Sequence, residues 1–407
     1  MTEGREGSVR RRRVFYIPGY DPIHPRRYRE LYRKEGAAQA ALSGYALDLR
    51  PKLVKGPYGW HVSATIDGVA VETDVEALVW SDIVRASMDP SIPGTYLQLV
   101  RTAWTYIGSG ALFRLMRLRK GPIIAALYPV LMLLAQLGLA CLLGWVVGAL
   151  VARPLPAAFG WIAGLAAVPL VLRWFRKQDS RFFAYYLMHD FAHSARGRGR
   201  YAPELEARLA EFRQTIRDAL SRDYDEVLVV GHSSGAHLAI SILADLIRAG
   251  VPRSGPELAL LSLGQVVPMI SFLPRAERLR GDLHYLSLRD ELTWVDVTAP
   301  GDGCAFALCD PVAVTGVAPQ GKRWPLVLSC AFSRTLSPGR WQALRWRFFR
   351  LHFQYLCAFD NLAGGPDDYD YFRITAGPLT LAERYAGRSP SKSRIDVPVS
   401  GYTSMAA

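Results

Sequence analysis

Ser233 stands in the middle of Gly231-His232-Ser233-Ser234-Gly235, between the aliphatic run 227–230 and a segment rich in Ala, Leu and Ile. A serine hydroxyl can act as a nucleophile when a sharp strand-to-helix turn lifts its Oγ clear of a sheet. Glycines on either side let strand and helix approach closely, and the helix N-terminus beneath favours negative charge developing nearby. The competing reading is an ordinary strand–helix joint, which the pentapeptide alone does not exclude. His189 and His193, in MHDFAH, have the i, i+4 spacing of metal ligands. No Glu stands where a zinc protease needs its base and no third ligand is evident, so they read as one face of a helix. His232 and His237 beside the turn read as structural. The five cysteines (Cys141, Cys304, Cys309, Cys330, Cys357) are odd in number and at no metal-ligand spacing. They read as reduced thiols, although Cys304 and Cys309 could share a loop.

The elements that must position Ser233 can be read from periodicity. The run 227–230 is continuously aliphatic, as a strand buried on both faces requires. Residues 235–249 read as the following helix, with Gly250 as its stop. Before the strand, 204–220 reads as a helix with Pro203 at its first position and Leu205, Leu209, Phe212, Ile216 and Leu220 as one stripe. Further strands are expected at 14–17, 45–49, 60–66 and 69–73, the last two joined by Asp67-Gly68, and at 258–263, 284–286, 294–298 and 326–331. Strands alternating with helices predict an α/β fold with a mostly parallel sheet and helices on both faces.

Half of the 407 residues are apolar and 21% are charged, which is a globular composition. The net charge of +13 calls for an anionic partner. No nucleic-acid-binding signature is present, and the basic residues flank an apolar region, which points to a membrane surface rather than nucleic acid. Residues 121–152 carry no charge, and after Arg153 a second uncharged run extends to Leu172. Both reach the roughly 20 residues a membrane span needs, so 121–175 is expected to form a transmembrane hairpin. Arg114, Arg117, Arg119, Lys120, Arg173, Arg176 and Lys177 lie on the outer flanks and only Arg153 in the joint. The positive-inside rule then puts both flanks in the cytoplasm, on an inner or plasma membrane crossed twice. The organisation expected is 1–120 as the first part of a soluble domain, 121–175 as the hairpin, 176–388 as the remainder, and 389–407 as a flexible tail. Within the first part, 95–121 could be an interfacial helix or a core helix. No secretory signal is evident in the first residues.

On the turn and its flanking elements, the chain resembles the α/β-hydrolase superfamily, in particular its lipases and esterases, where Gly-His-Ser-X-Gly is frequent. The resemblance covers roughly residues 13–95 and 180–385 and leaves the hairpin outside. It implies a serine nucleophile, then an acid after a later strand, then a histidine. Only His352 follows residue 284 among the histidines, which makes it the base. Asp302, in the Pro-Gly-Asp-Gly loop past the strand 294–298, is the acid chosen over Asp296, which points into a sheet face, and Asp310. The resemblance also implies an oxyanion hole from the backbone amides of Ser234 and Tyr20, with Gly19 allowing close approach. His352 falls about twenty residues beyond the strand 326–331, farther than the family places it, so 333–339 is expected as an extended loop with His352 opening the next helix. The activity implied is a membrane-anchored serine hydrolase of esters, thioesters or lipids that needs no metal or organic cofactor. The alternatives are acyl transfer by the same triad, or a non-catalytic interaction module on the same fold. The site is expected to open toward the bilayer and to take a lipid or long acyl ester. The basic flanks and Arg10–Arg13 would hold that face against anionic headgroups, each contributing about 1 kcal/mol.

Overall fold

The computed structural model describes residues 8–52, 56–88, 91–252, 255–363 and 368–406. The first seven residues of the expected soluble domain and the last residue of the expected tail therefore lie outside the described residues. Aliphatic runs bounded by turn residues become eight strands: β1 Arg11–Ile17, β2 Ala46–Pro51, β3 Gly59–Ile66, β4 Val69–Ala77, β5 Glu226–His232, β6 Glu257–Leu263, β7 Thr293–Thr298 and β8 Leu326–Ser329. They form one sheet in the order β2-β3-β4-β1-β5-β6-β7-β8. β2, β3 and β4 pair antiparallel, and all pairs from β4 onward are parallel. The Asp67-Gly68 turn closes β3 on β4 with both residues at positive φ, as a two-residue hairpin demands. The fold is thus mixed α/β with a mostly parallel sheet.

Alternation along β1 and β5 builds a core on each side of the sheet. Phe15, Ile17, Val227 and Val229 join the helices Pro203–Leu220, Gly235–Arg248 and Glu277–Leu286 on one face. Val14, Tyr16, Leu228 and Val230 face the other, against Tyr28 and Tyr32 of the helix Arg26–Ser43 and Tyr371, Phe372 and Ile374 of the helix Tyr371–Ala376. Central strands buried on both faces must be aliphatic throughout, which is why they were legible. Glu226 and Arg12, both fully buried, pair at 2.5 Å, and Arg12 also donates to the carbonyls of Gly377 and Leu379. A buried charge of this kind is tolerable only when its donors are satisfied.

Four expectations need correction. Residues 284–286 are not a strand: they end the helix Glu277–Leu286, whose Leu279, Leu283 and Leu286 recur at helical spacing against the core. Residues 333–339 are not an extended loop: they fall in the short helices Phe332–Thr335 and Pro338–Leu344, and His352 closes rather than opens the helix Phe348–His352. The tail is not loose. Ile395 bridges Cys309, the Val399 amide donates to the Val314 carbonyl, and Arg280 donates to the Ser404 carbonyl at 2.6 Å. Finally, Arg12 and Arg13 cannot meet headgroups, because both are buried in β1, with Arg13 paired to Glu76.

The uncharged runs form helices Lys120–Val151 and Ala157–Lys177, the two described helices long and apolar enough to cross a membrane. At 1.5 Å per residue the shorter spans about 31 Å, the thickness of a bilayer core. The pair packs along a glycine seam. A β-carbon at Gly160 would lie 2.6 Å from the Gly148 carbonyl oxygen, and one at Gly144 would lie 2.8 Å from that of Gly164. In lipid, where apolar burial adds little, such small-residue contact is what holds two helices together. Just before the hairpin, the helix Ile92–Gly108 buries Thr95, Leu99, Thr102 and Tyr106 on the body while exposing Leu97, Val100, Trp104 and Ile107 as one stripe. Trp104 is 79% exposed. The helix is therefore core-packed on one side and apolar on the other, the pattern of an interfacial element.

Replacing Gly160 by Val should lower the thermal midpoint of the full chain in detergent, with overpacking costing about 1–3 kcal/mol. Gly138→Val, where a β-carbon meets nothing within 4 Å, is the control and should leave the midpoint unchanged. Equal effects at the two positions would refute the seam.

Candidate active site

β5 delivers Ser233 into a turn with φ of 57°, the left-handed region that a residue with a β-carbon enters only when its surroundings impose it. The surroundings here are close backbones. A β-carbon at Gly235 would overlap the Ile17 carbonyl oxygen, and one at Gly19 would lie 2.9 Å from the Ser233 β-carbon. The Ser233 amide donates to the Leu263 carbonyl at 2.9 Å, tying the turn to the end of β6. The segment 18–20 is pinned in turn: the Trp80 indole donates to the Pro18 carbonyl and the Tyr186 hydroxyl to the Tyr20 carbonyl. Among the described residues, neither the Tyr20 amide nor the Ser234 amide has an acceptor, and both residues are buried. Two unspent donors beside a serine hydroxyl are what a developing oxyanion needs.

The loop after β7 carries Asp302, which is almost wholly buried. Its Oδ1 accepts from the Cys304 amide at 2.9 Å. Its Oδ2 accepts from the Tyr355 hydroxyl at 2.9 Å and from His352 Nδ1 at 2.7 Å. Burial alone would raise the carboxyl; charge and hydrogen bonds from His352, with help from Cys304 and Tyr355, hold it below the usual carboxylate range. The sequence therefore brings Asp302 and His352 together across fifty residues. His352 Nε2 is buried without a partner. Its Cε1 packs over Gly264, directly after the Leu263 carbonyl that holds Ser233. No hydrogen bond joins Ser233 Oγ to Nε2. Such bonds are often long without substrate and shorten when the reacting group arrives.

The other candidates fall elsewhere. Asp296 lies under the sheet, where Ser262 Oγ donates to it at 2.6 Å. Desolvation pushes its carboxyl up to about 8, so it is protonated where Asp302 is an anion. Asp310 caps the helix Pro311–Thr315 and pairs with Lys322. His237 bonds the Tyr201 hydroxyl. His189 bonds Gln98, and His193 packs against the rings of Tyr20 and Trp80. All five cysteines are free thiols. Asp302, Cys304 and His352 place three potential metal-ligand atoms within 4.8 Å of one another. Desolvation holds the Cys304 thiol well above its ordinary range, which makes it a poor thiolate ligand.

The chain matches no family model, no curated protein and no solved structure.

Two residues around the site escaped sequence reasoning, and a third, His232, reads in the sequence only as structural. Tyr355 accepts from the Ala299 amide and donates to Asp302, fixing the acid from both sides. His232 donates from Nε2 to the His352 carbonyl at 3.0 Å, and desolvation lowers it to about 3, keeping it neutral in that role. Asp190, partly buried in the helix Ala184–Ala195, is pushed up to about 7 by desolvation, against a smaller pull from the His352 charge. The position of Tyr355, three residues from His352, was a readable signal; Asp190 carried none.

The burial of Asp296 makes folding stability depend on pH. In the folded chain Asp296 keeps its proton up to about pH 8. The unfolded chain releases it near 4. Folding stability from this group therefore falls as pH rises from about 4 to about 8. Asp296→Asn should match wild type at pH 4 and gain on it steadily to pH 8 in denaturant melts. Parallel curves across that window would contradict the assignment.

Proposed function

We propose that the chain is a membrane-anchored serine hydrolase of the α/β-hydrolase kind, cleaving an acyl ester, thioester or lipid ester. The observation that carries the reading is the buried Asp302–His352 bond ending in an unpartnered Nε2, on a ring that packs over Gly264 next to the Leu263 carbonyl that holds the positive-φ Ser233. In this mechanism Ser233 Oγ attacks the acyl carbonyl as its proton passes to His352 Nε2. Asp302 and Tyr355 hold the ring while the imidazolium forms. The Ser234 and Tyr20 amides receive the oxyanion. His352 then protonates the leaving group, and water, activated by the same nitrogen, releases the acyl group from Ser233. An alcohol in place of water would make the same machinery an acyltransferase.

The membrane enters the reading through contact. Gly121, at the root of the hairpin, packs against Gly303, the neighbour of Asp302. Phe348 also packs on Gly303, and Phe348, Trp346 and Phe183 are exposed. An apolar rim beside the hairpin root favours a lipid or long acyl ester over a small soluble one. Both flanks of the hairpin belong to one sheet-bearing domain, and seven Lys/Arg there against Arg153 in the joint favour the cytoplasmic side. The missing Ser233–His352 hydrogen bond is the one feature that favours a second reading, a non-catalytic interaction module.

A fluorophosphonate probe separates the two. It should label wild type and not Ser233→Ala, and His352→Ala should lower labelling and ester turnover by about a thousandfold or more. Asp302→Ala should follow His352→Ala, while Asp296→Ala leaves most activity in whatever fraction folds. Absence of labelling in folded wild type would sink the hydrolase reading. For topology, Arg153→Cys should react with an impermeant maleimide added to intact cells, and a cysteine introduced at Ser391 should not. Reaction at residue 391 from outside would reverse the orientation.

A further inference from the structure

Behind the segment 18–20 lies a cavity of about 500 Å³ that the mechanism does not use. It opens between the helices Ile92–Gly108 and Ala184–Ala195 and takes Gln98, Arg101, Thr102, Thr105, His193 and Arg196 into its wall. Among the described residues, the wall holds two guanidiniums and no carboxylate. Both arginines are exposed, and neither guanidinium has an ion-pair or hydrogen-bond partner among the described residues. Elsewhere the arginines of this chain are commonly paired, as Arg208 is to Asp82 and Arg278 to Asp245. Desolvation lowers His193 to about 4, so it is neutral and the positive charge comes from Arg101 and Arg196.

Gln98 adds a directed donor. His189 Nδ1 lies 2.7 Å from Gln98 Oε1. Since a carbonyl oxygen can only accept, Nδ1 carries the proton, and the bond commits Oε1 and leaves the Gln98 amino group as the available donor. The i, i+4 histidine pair thus has two separate duties: His189 orients Gln98, and His193 forms the wall against Tyr20. Two guanidiniums with a donor amide and the Thr102 hydroxyl are the chemistry that recognises phosphate oxygens.

The helix supplying Arg101 also identifies the source. At 100° per residue, Arg101 lies at the border between the pocket face (Gln98, Thr102, Thr105) and the exposed apolar stripe (Leu97, Val100, Trp104, Ile107). A cationic cavity bordered by a lipid-facing stripe sits at the depth of phospholipid headgroups.

We infer that this cavity is a binding site for a phosphate group, supplied by an anionic phospholipid seated on the Ile92–Gly108 helix. The inference rests on the membrane placement proposed above and not on the reaction at Ser233. The test uses the full-length Ser233→Ala protein in nonionic detergent, with binding of labelled glycerol 3-phosphate as the readout. Saturable binding is expected, weakened about tenfold or more in R101A/R196A. R173A/R176A, which loses the same charge outside the cavity, should bind as the parent does. Gln98→Glu, which keeps the acceptor for His189 and replaces the amino donor with an anion, should weaken binding with an unchanged melting midpoint, which guards against a fold defect in the double variant. Phosphatidylglycerol in the micelles should displace the label and diacylglycerol should not. Displacement by soluble phosphate esters alone would keep the phosphate site and reject the lipid as its source. Absence of saturable binding, or equal loss in R173A/R176A, would overturn the proposal. Binding retained while the folded wild type fails fluorophosphonate labelling would reject the hydrolase reading and leave this one standing.

Discussion

The turn at Ser233 exists because three stretches of backbone approach more closely than β-carbons would allow. The end of β1 lies against Gly235, the segment after β1 touches Ser233 through Gly19, and a β-carbon at Gly231 would lie 2.7 Å from the Ala236 Cα. Each contact is a steric demand, and together they surround Ser233 in the left-handed conformation it adopts. The two unspent amides follow from the same closeness. An amide held in a turn with no acceptor is costly unless something else will use it. The rest of the site is built outward from this joint.

Positioning Ser233 is a task for the strands; positioning the imidazole is a task for a less regular region. After β8 the chain makes short helices before His352, and none of them could orient a ring alone. The ring is instead fixed from three sides: Asp302 takes Nδ1, His232 takes the His352 carbonyl, and Gly264 leaves room for Cε1. Tyr355 closes the set by bonding the acid and the Ala299 amide. A polar network in a buried setting is stable only when its members are satisfied, and here the single open valence is Nε2.

What was legible in the sequence followed the strength of its physical signal. The central strands could be read because burial on both faces forces continuous aliphatic runs, and the turn because its glycines are a steric necessity. The parallel sheet followed from the alternation of strands and helices. Residues 284–286 misled because three residues carry no period, and the helical spacing shows only when Leu279 and Leu283 are counted. The segment 333–352 misled because its helices are one or two turns long and lack a stripe. Arg10–Arg13 looked like a basic patch, since nothing local reveals that Arg12 and Arg13 meet Glu226 and Glu76 from distant strands. The glycine seam was visible as two Gly-x-x-x-Gly repeats, Gly144/Gly148 and Gly160/Gly164, and needed only the right question.

The sheet order also sets a schedule for synthesis. β1 lies between β4 and β5, and β4 ends at Ala77 whereas β5 begins at Glu226. About 150 residues therefore leave the ribosome before β1 gains its second neighbour, roughly eight to thirty seconds at 5–20 residues per second. Both hydrophobic helices emerge within that interval. With the hairpin in the bilayer as proposed, the nascent chain enters the membrane while its first four strands still present an open, aliphatic edge, and only afterwards can the remaining half close over it. On that placement, membrane insertion is a step on the folding pathway of the domain that houses Ser233, not an attachment made to a finished protein.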